Sequence, residues 1–319
     1  MPEFVNLIRS ESDFLHSFQY SPVAGLPELR TKFINHFEKT RGVKVNLEKH
    51  GCIVSNGGKH AISNIFACLL EEGDEAVFMA PYWVSYPEMV SLYGAKSVVV
   101  ETGSFDVFVP SLDNVRESIT AKTKIIVINS PNNPSGTHYS EEWMKGFAEI
   151  LKDFPELYVI SDEIYYELYY YDPKPTYFYQ FDESLLERTI IVDGISKTLA
   201  ATGLRIGFTI APTELFKAIN KLQGQTASGA NSLVQRALCH FNFDNITTFL
   251  IPIKKHLRDN AEILGESFRK YNLSHLWYQP KSAFYYLIDF SSAPIKEKYS
   301  HLDDASVEIC EELLEEHGI

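Results

Sequence analysis

Ile190-Ile191-Val192-Asp193-Gly194-Ile195-Ser196-Lys197-Thr198, followed by Thr202-Gly203-Leu204-Arg205-Ile206-Gly207, carries the pattern that decides the fold. The apolar, β-branched run predicts a buried strand. It stops at a glycine and delivers Ser196 and Lys197 at its end, with Arg205 following between glycines. A lysine at the mouth of a buried strand is poorly solvated, so its amine is more easily neutral and nucleophilic. A hydroxyl and a guanidinium nearby suit a phosphate. Together they fit a Schiff-base lysine holding a phosphorylated aldehyde. A surface lysine after a strand fits the same residues, so the rest of the chain has to decide.

Upstream, the same arrangement recurs. Cys52-Ile53-Val54-Ser55 predicts a strand that meets Gly57 and Gly58 and then an amphipathic helix over 59–71. Glycines let backbone N–H groups approach an anion, and a helix N-terminus favours negative charge. The spacing matches neither the Walker pattern nor the dinucleotide fingerprint, and such a turn also occurs without a ligand. The strand Ala76-Val77-Phe78-Met79 runs into Tyr82-Trp83, where an aromatic at a strand end either stacks on a planar ring or fills core. A strand over 124–129 leads into Pro131-Asn132-Asn133-Pro134-Ser135-Gly136, a rigid loop that turn chemistry alone also explains. A strand at 157–161 ends in Asp162, with Tyr165 three residues on. A carboxylate there is costly to bury without a cation partner, unless it caps a helix.

Strands thus alternate with helices over 50–210, predicting a three-layer αβα α/β fold with a mostly parallel sheet covered on both faces. In such a sheet the strand carboxyl ends share one edge, so Gly57, Gly58, Lys59, Trp83, Asn133, Asp162 and Lys197 can converge. Outside this region, residues 1–19 read as short, polar and irregular, before a loop from Tyr20 to Pro27 and a helix over 28–40. Helices are expected at 111–119, 140–153, 213–222 and 232–241, with strands at 97–101 and 206–210. A long helix over 252–271 then connects to a strand at 283–290 and a helix at 304–316, a small α+β part. The expected division is 1–19 as the N-terminal segment of the small domain, 20–252 as a large domain, and 253–319 as connecting helix and small domain.

The chain has 319 residues, 45% hydrophobic and 22% charged, with a net charge of −13. That acidity argues against nucleic-acid and anionic-membrane partners. No apolar run approaches membrane-spanning length. Cys52, Cys68, Cys239 and Cys310 are scattered without metal spacing, so buried free thiols in a reducing cytoplasm and no metal site are expected.

Asn132-Asn133-Pro134-Ser135-Gly136, Ser161-Asp162-Glu163-Ile164-Tyr165 and Ser196-Lys197-Thr198 with Gly203-Leu204-Arg205-Ile206-Gly207 resemble class I pyridoxal-phosphate-dependent aminotransferases of fold type I. Ser55-Asn56-Gly57-Gly58-Lys59-His60-Ala61 and Pro81-Tyr82-Trp83-Val84-Ser85-Tyr86-Pro87 are most similar to the bacterial aspartate and aspartate/prephenate enzymes. The resemblance implies pyridoxal 5'-phosphate as cofactor, an amino acid and a 2-oxo acid as substrates, and a homodimer. It implies that Lys197 holds the cofactor and shuttles the proton at Cα, that Asp162 pairs with the ring nitrogen, and that Tyr165 and Asn133 bond its phenolic oxygen. Trp83 would stack on the ring; Gly57, Gly58, Lys59, Ser196 and Arg205 would hold the phosphate; Tyr20 would reach the neighbouring subunit's phosphate. Lys59, Trp83 and Asn133 would also face the substrate, Lys59 meeting the distal carboxylate of an aspartate- or glutamate-like acid or only supporting the phosphate. The ring-holding set also suits elimination, decarboxylation or racemisation on the same cofactor, or a cofactor-binding chain with little turnover.

The sequence departs from the family at both ends. Only about nineteen residues precede Tyr20, and no arginine follows Arg269, whose neighbours Glu266, Ser267 and Lys270 place it on a helix surface. The family's arginine for the substrate α-carboxylate lies further on. The expectation is therefore an incomplete small domain and a cofactor site better preserved than the substrate site.

Overall fold

The computed structural model describes residues 1–290, 298–299 and 305–318. Seven strands form one sheet: β1 (His50–Ser55), β2 (Glu75–Met79), β3 (Lys96–Val100), β4 (Thr123–Asn129), β5 (Tyr158–Asp162), β6 (Thr189–Gly194) and β7 (Gly207–Pro212), in the spatial order β1-β7-β6-β5-β4-β2-β3. The pairs β3–β2, β2–β4, β4–β5 and β5–β6 are parallel, whereas β7 runs antiparallel to both β6 and β1. Apart from the edge strand β3, the strands are buried on both faces because helices cover both, and this is why their sequences read as continuous apolar runs rather than alternations. One core packs Phe33, Phe37, Val54, Ile126, Phe147 and Ile191 on one side of the sheet. The other packs Ile53, Ile65, Phe66, Phe78, Ile160 and Val192 on the opposite side. The three-layer α/β expectation holds.

The helices are α1 (Pro2–Glu11), α2 (Pro27–Arg41), α3 (Gly58–Leu69), α4 (Ser85–Ser91), α5 (Leu112–Ser118), α6 (Glu141–Lys152), α7 (Ile195–Thr198), α8 (Thr213–Thr226), α9 (Ser232–His240), α10 (Asn245–Lys270) and α11 (Ser306–His317). Three expectations are corrected. Residues 1–19 are not irregular throughout: Pro2 starts α1, and Phe4, Leu7 and Ile8 make a helical apolar stripe, with Phe4 buried against Phe241 just beyond α9. The long helix begins at Asn245 and runs through Pro252, whose neighbourhood is solvent-facing. Residues 283–290 do not form a strand. Only Ser282 pairs, in a single bridge to Tyr169, and the apolar run that follows has no strand beside it among the described residues. Instead Trp277, Tyr286, Ile288 and Phe290 pack on Phe268 of α10. Residue 304, the expected start of the last helix, lies outside the described residues.

All four cysteines are free; Cys52 and Cys239 are buried, Cys68 is partly so, and Cys310 is exposed, against the expectation for that residue. No helix among the described residues is long and apolar enough to cross a membrane.

Candidate active site

Register places the functional side chains. Asn129 ends β4 opposite Asp162, which ends β5 opposite Val192 of β6. Gly194 ends β6 opposite Gly207, the start of β7, and Gly207 also faces Ser55, the end of β1. Four strand ends therefore meet along one edge, and α3 and α7 start from that edge. A Cβ on Gly194 would meet Gly207 Cα at 2.8 Å, so the close approach of β6 and β7 requires glycine there.

A cavity of about 250 Å³ opens at this edge. It is lined by Gly58, Lys59, Trp83, Asn133, Asp162, Tyr165, Ser196, Lys197 and Arg205, together with Ile62, Asn129, Ile164, Thr202 and Tyr285. The structure thus brings together all but two of the residues picked from the sequence. Gly57 stands just outside the lining. Its φ of +85° is in the region that favours glycine, and a Cβ there would come within 2.5 Å of Arg205 Nη2. Tyr20 is not in the cavity; it is 94% exposed at the start of the loop leading to α2. That loop is fixed from behind by two fully buried glutamines: Gln223 Nε2 donates to the Val23 carbonyl, and Gln235 Nε2 donates to Ser21 Oγ.

Three corners of the cavity differ in chemistry. At the first, α3 begins with no side-chain cap, so its leading N–H groups face outward. The Ser196 hydroxyl is buried without a hydrogen-bond partner, and Arg205, itself left-handed at φ +57°, donates to the carbonyls of Thr202 and Asn56. An unpartnered buried hydroxyl, free helix N–H groups and a guanidinium are the donor set that a phosphate would satisfy. At the second corner is Asp162, which accepts a 2.5 Å hydrogen bond from Tyr86 and one from the Ile164 N–H. Burial raises its carboxyl to about 6 despite those bonds. A buried carboxylate with one short neutral donor and no ion pair among the described residues suits a protonated ring nitrogen. At the third corner, Lys197 Nζ lies 5.5 Å from the Tyr165 ring and 5.3 Å from that of Phe284. Burial and then the positive charge of Arg205 lower its pKa, with Asp162 opposing. Between these corners, the Tyr165 hydroxyl lies 2.8 Å from that of Tyr285, which also accepts from Asn133 Nδ2 at 3.4 Å. At the mouth, exposed Lys59 holds its ammonium 5.0 Å over Trp83.

Sequence reasoning missed four supporting groups. Tyr86 comes from α4, and its ring stacks on Phe78 of β2 with its hydroxyl reaching Asp162 two strands away. Asn129 was legible as the last strand residue; its Nδ2 donates to the Asp162 carbonyl and its Oδ1 accepts from the Asn133 N–H, tying two site loops together. Tyr285 comes from the irregular segment after α10. Arg41, at the end of α2, is fully buried and bonds Glu163 at 2.9 Å and Asp193 at 2.8 Å. It also lies 3.5 Å over the Tyr166 ring. This one guanidinium serves two acids next to the site, and burial still raises Glu163 to about 7 and pushes Asp193 up.

The chain matches the sequence model of the family described as aminotransferase class I and II over residues 3–319. It is 37% identical over 277 residues to a probable aspartate/prephenate aminotransferase of Thermus aquaticus, an alignment covering 86% of this chain and 70% of that protein. To the aspartate aminotransferase of Bacillus subtilis (strain 168) it is 37% identical over 217 residues, 68% of this chain and 54% of that one. Among solved structures, the aspartate aminotransferase from Thermus thermophilus with maleate superposes with a TM-score of 0.83 at 34% identity, covering 92% of this chain and 75% of that chain.

Proposed function

The chain belongs to the class I and II aminotransferases, enzymes that move an amino group between an amino acid and a 2-oxo acid with pyridoxal 5'-phosphate, and from that premise we propose that it takes a dicarboxylic amino acid, aspartate or glutamate, as donor at the cavity built on Lys197. The observation that carries the placement of the cofactor is the Ser196 hydroxyl: buried, unpartnered, and part of the same lining as Arg205 and the uncapped start of α3. When bound, pyridoxal phosphate supplies an electron sink for the pair left when a substrate Cα–H bond breaks.

The protein's own residues do the rest. The N–H groups of Gly58 and Lys59, Ser196 Oγ and Arg205 hold the phosphate, with Gly57 giving Arg205 its space. Asp162 keeps the ring nitrogen protonated, and Tyr86 holds the Asp162 carboxylate in place. Tyr165 and Asn133 donate to the phenolic oxygen, and Trp83 covers the ring. Lys197 Nζ, with its pKa lowered by burial, is more easily unprotonated than a surface lysine and is the group that takes and returns the proton at Cα. Lys59, exposed beyond Trp83, presents a cation where a substrate's distal carboxylate would arrive. In this reading residues 20–252 form the cofactor-binding unit and two copies pair. Pairing would cover the exposed Phe14, Leu15, Phe18 and Tyr20, with Tyr20 completing the neighbour's phosphate site.

Absorbance of the protein loaded with pyridoxal phosphate tests the donor. Aspartate and glutamate should convert the visible band to that of the amine form, and uncharged amino acids should do so far less readily. In Lys59→Gln the dicarboxylic substrates should lose about ten-fold in kcat/KM, roughly 1.4 kcal/mol of a charge-assisted contact, with little change for uncharged ones. A panel in which aspartate and glutamate leave the band untouched would sink the proposal. Sedimentation of the loaded protein reports the pairing.

A further inference from the structure

Tyr285 stands in a part of the chain with no regular secondary structure, yet the backbone just before it is tightly hydrogen-bonded. Its segment is clamped to two loops of the site. The Lys281 and Ser282 N–H groups donate to the Gly136 carbonyl at 2.9 and 3.0 Å, and the Ala283 N–H donates to the Leu168 carbonyl at 2.9 Å. Gly136 adopts φ +67°, and a Cβ there would meet the Tyr285 carbonyl oxygen at 2.2 Å, so only glycine lets the two strips of backbone lie this close. The clamp puts the Tyr285 hydroxyl between Asn133 Nδ2 at 3.4 Å and the Tyr165 hydroxyl at 2.8 Å.

The hydrogens in this trio have a defined direction once an anionic oxygen occupies the cavity beside Tyr165. An amide nitrogen only donates, so Tyr285 accepts from Asn133. A tyrosine hydroxyl has a single proton. If Tyr165 gives its proton to the anion, Tyr285 gives its own to Tyr165. Donors in series polarise one another and strengthen the last bond of the chain. Burial pushes the Tyr165 phenol well above its ordinary range, so it stays a donor at any working pH. We infer that Tyr285 is a positioning residue for the reaction: its hydroxyl, held by the Gly136 clamp, turns the Tyr165 proton into the cavity and strengthens its donation to the cofactor's phenolic oxygen. The inference rests on the proposed placement of that oxygen beside Tyr165.

The test uses the protein loaded with pyridoxal phosphate and follows the pH titration of its visible absorbance band. Donors facing the phenolic oxygen favour the form that has lost the proton shared near it, so weakening them moves the midpoint up. Tyr285→Phe, which keeps the ring and removes the hydroxyl, should raise the midpoint by about 0.3 to 0.7 pH unit, a two- to five-fold change in the proton equilibrium. Tyr165→Phe should raise it further. Adding Tyr285→Phe to Tyr165→Phe should raise it no further, because Tyr285 strengthens donation only through Tyr165, and its other partner, Asn133, donates to it and is released rather than weakened by its loss. Tyr286→Phe, which removes the neighbouring hydroxyl that points to the Leu276 carbonyl, should leave the midpoint where it is. If Tyr165→Phe moves the midpoint and Tyr285→Phe does not, or if the two shifts add in full, the role given to Tyr285 is wrong. If Tyr165→Phe itself has no effect, the placement of the oxygen is wrong and the inference falls with it.

Discussion

Arg41→Leu isolates what one buried cation does for the site. Arg41 bonds Glu163 and Asp193, and its side chain is wholly buried. Replacing it with an aliphatic residue fills much of the space but leaves two buried acids without their cation. Breaking a buried pair by removing one partner costs about 3–5 kcal/mol. The lower end applies here, because Glu163 keeps hydrogen bonds from Ser161 and Tyr179 and Asp193 keeps one from the Gly194 N–H. A loss of about 3 kcal/mol corresponds to a thermal midpoint lower by about 6 °C for a chain of this size. The pH dependence separates charge from packing. An acid whose folded pKa is raised above its unfolded value of about 4.3 contributes most stability when protonated, and that contribution fades as pH rises through the folded pKa. Glu163 already titrates at about 7 in the folded protein, raised by burial against the pull of Arg41. Without Arg41 that value, and the raised one of Asp193, climb further. The variant should therefore be nearly as stable as the parent at pH 5, and its deficit should open as pH rises through about 7 and be clear at pH 8. Thermal unfolding followed by circular dichroism at both values measures this. An equal deficit at the two pH values would refute the electrostatic account and leave lost packing as the cause.

Three further outcomes are expected. In Tyr86→Phe the Asp162 carboxyl, now at about 6, should rise by about one unit on losing a hydrogen bond to its charged form. Pyridoxal phosphate affinity, which needs that carboxylate ionised and is lost as pH falls through its pKa, should then fail about one unit higher, as read by fluorescence titration. Gly57→Ala should weaken pyridoxal phosphate binding about ten-fold, from about 1–2 kcal/mol of left-handed strain and the displacement of Arg205, while binding of pyridoxal without its phosphate changes much less. Lys197→Ala should still bind the cofactor but should retain no covalent label after borohydride reduction, and its turnover should drop by roughly 10² to 10⁴; a label retained on another lysine would reassign the reactive amine.

Much of this was written in local pattern. The runs Ile125–Ile128 and Ile190–Val192 are apolar at every position because central strands are buried on both sides, and the polar residue that follows each run, Asn129 or Asp193, marks the sheet edge where ligands gather. Asp162, Lys197, Ser196, Asn133 and the two glycines at the start of α3 were found in that way, without knowledge of any contact. Local pattern failed where a residue's partner is distant and the intervening chain is irregular. Residues 283–290 are an apolar, aromatic run that reads like a strand, but a strand needs a neighbour, and the backbone at 281–283 is held instead by Gly136 and Leu168. Arg41 reads as a helix-ending cation and turns out to be the counter-charge for two strand-end acids more than a hundred residues away. The Tyr165–Tyr285 contact likewise spans 120 residues. The sequence by itself determined the layers of the fold, the edge that carries the chemistry and the residue types present there. Only the tertiary structure decided which hydroxyl faces which acid, because hydrogen bonds are set to tenths of an ångström by packing between elements, and periodicity along a chain holds no information about that.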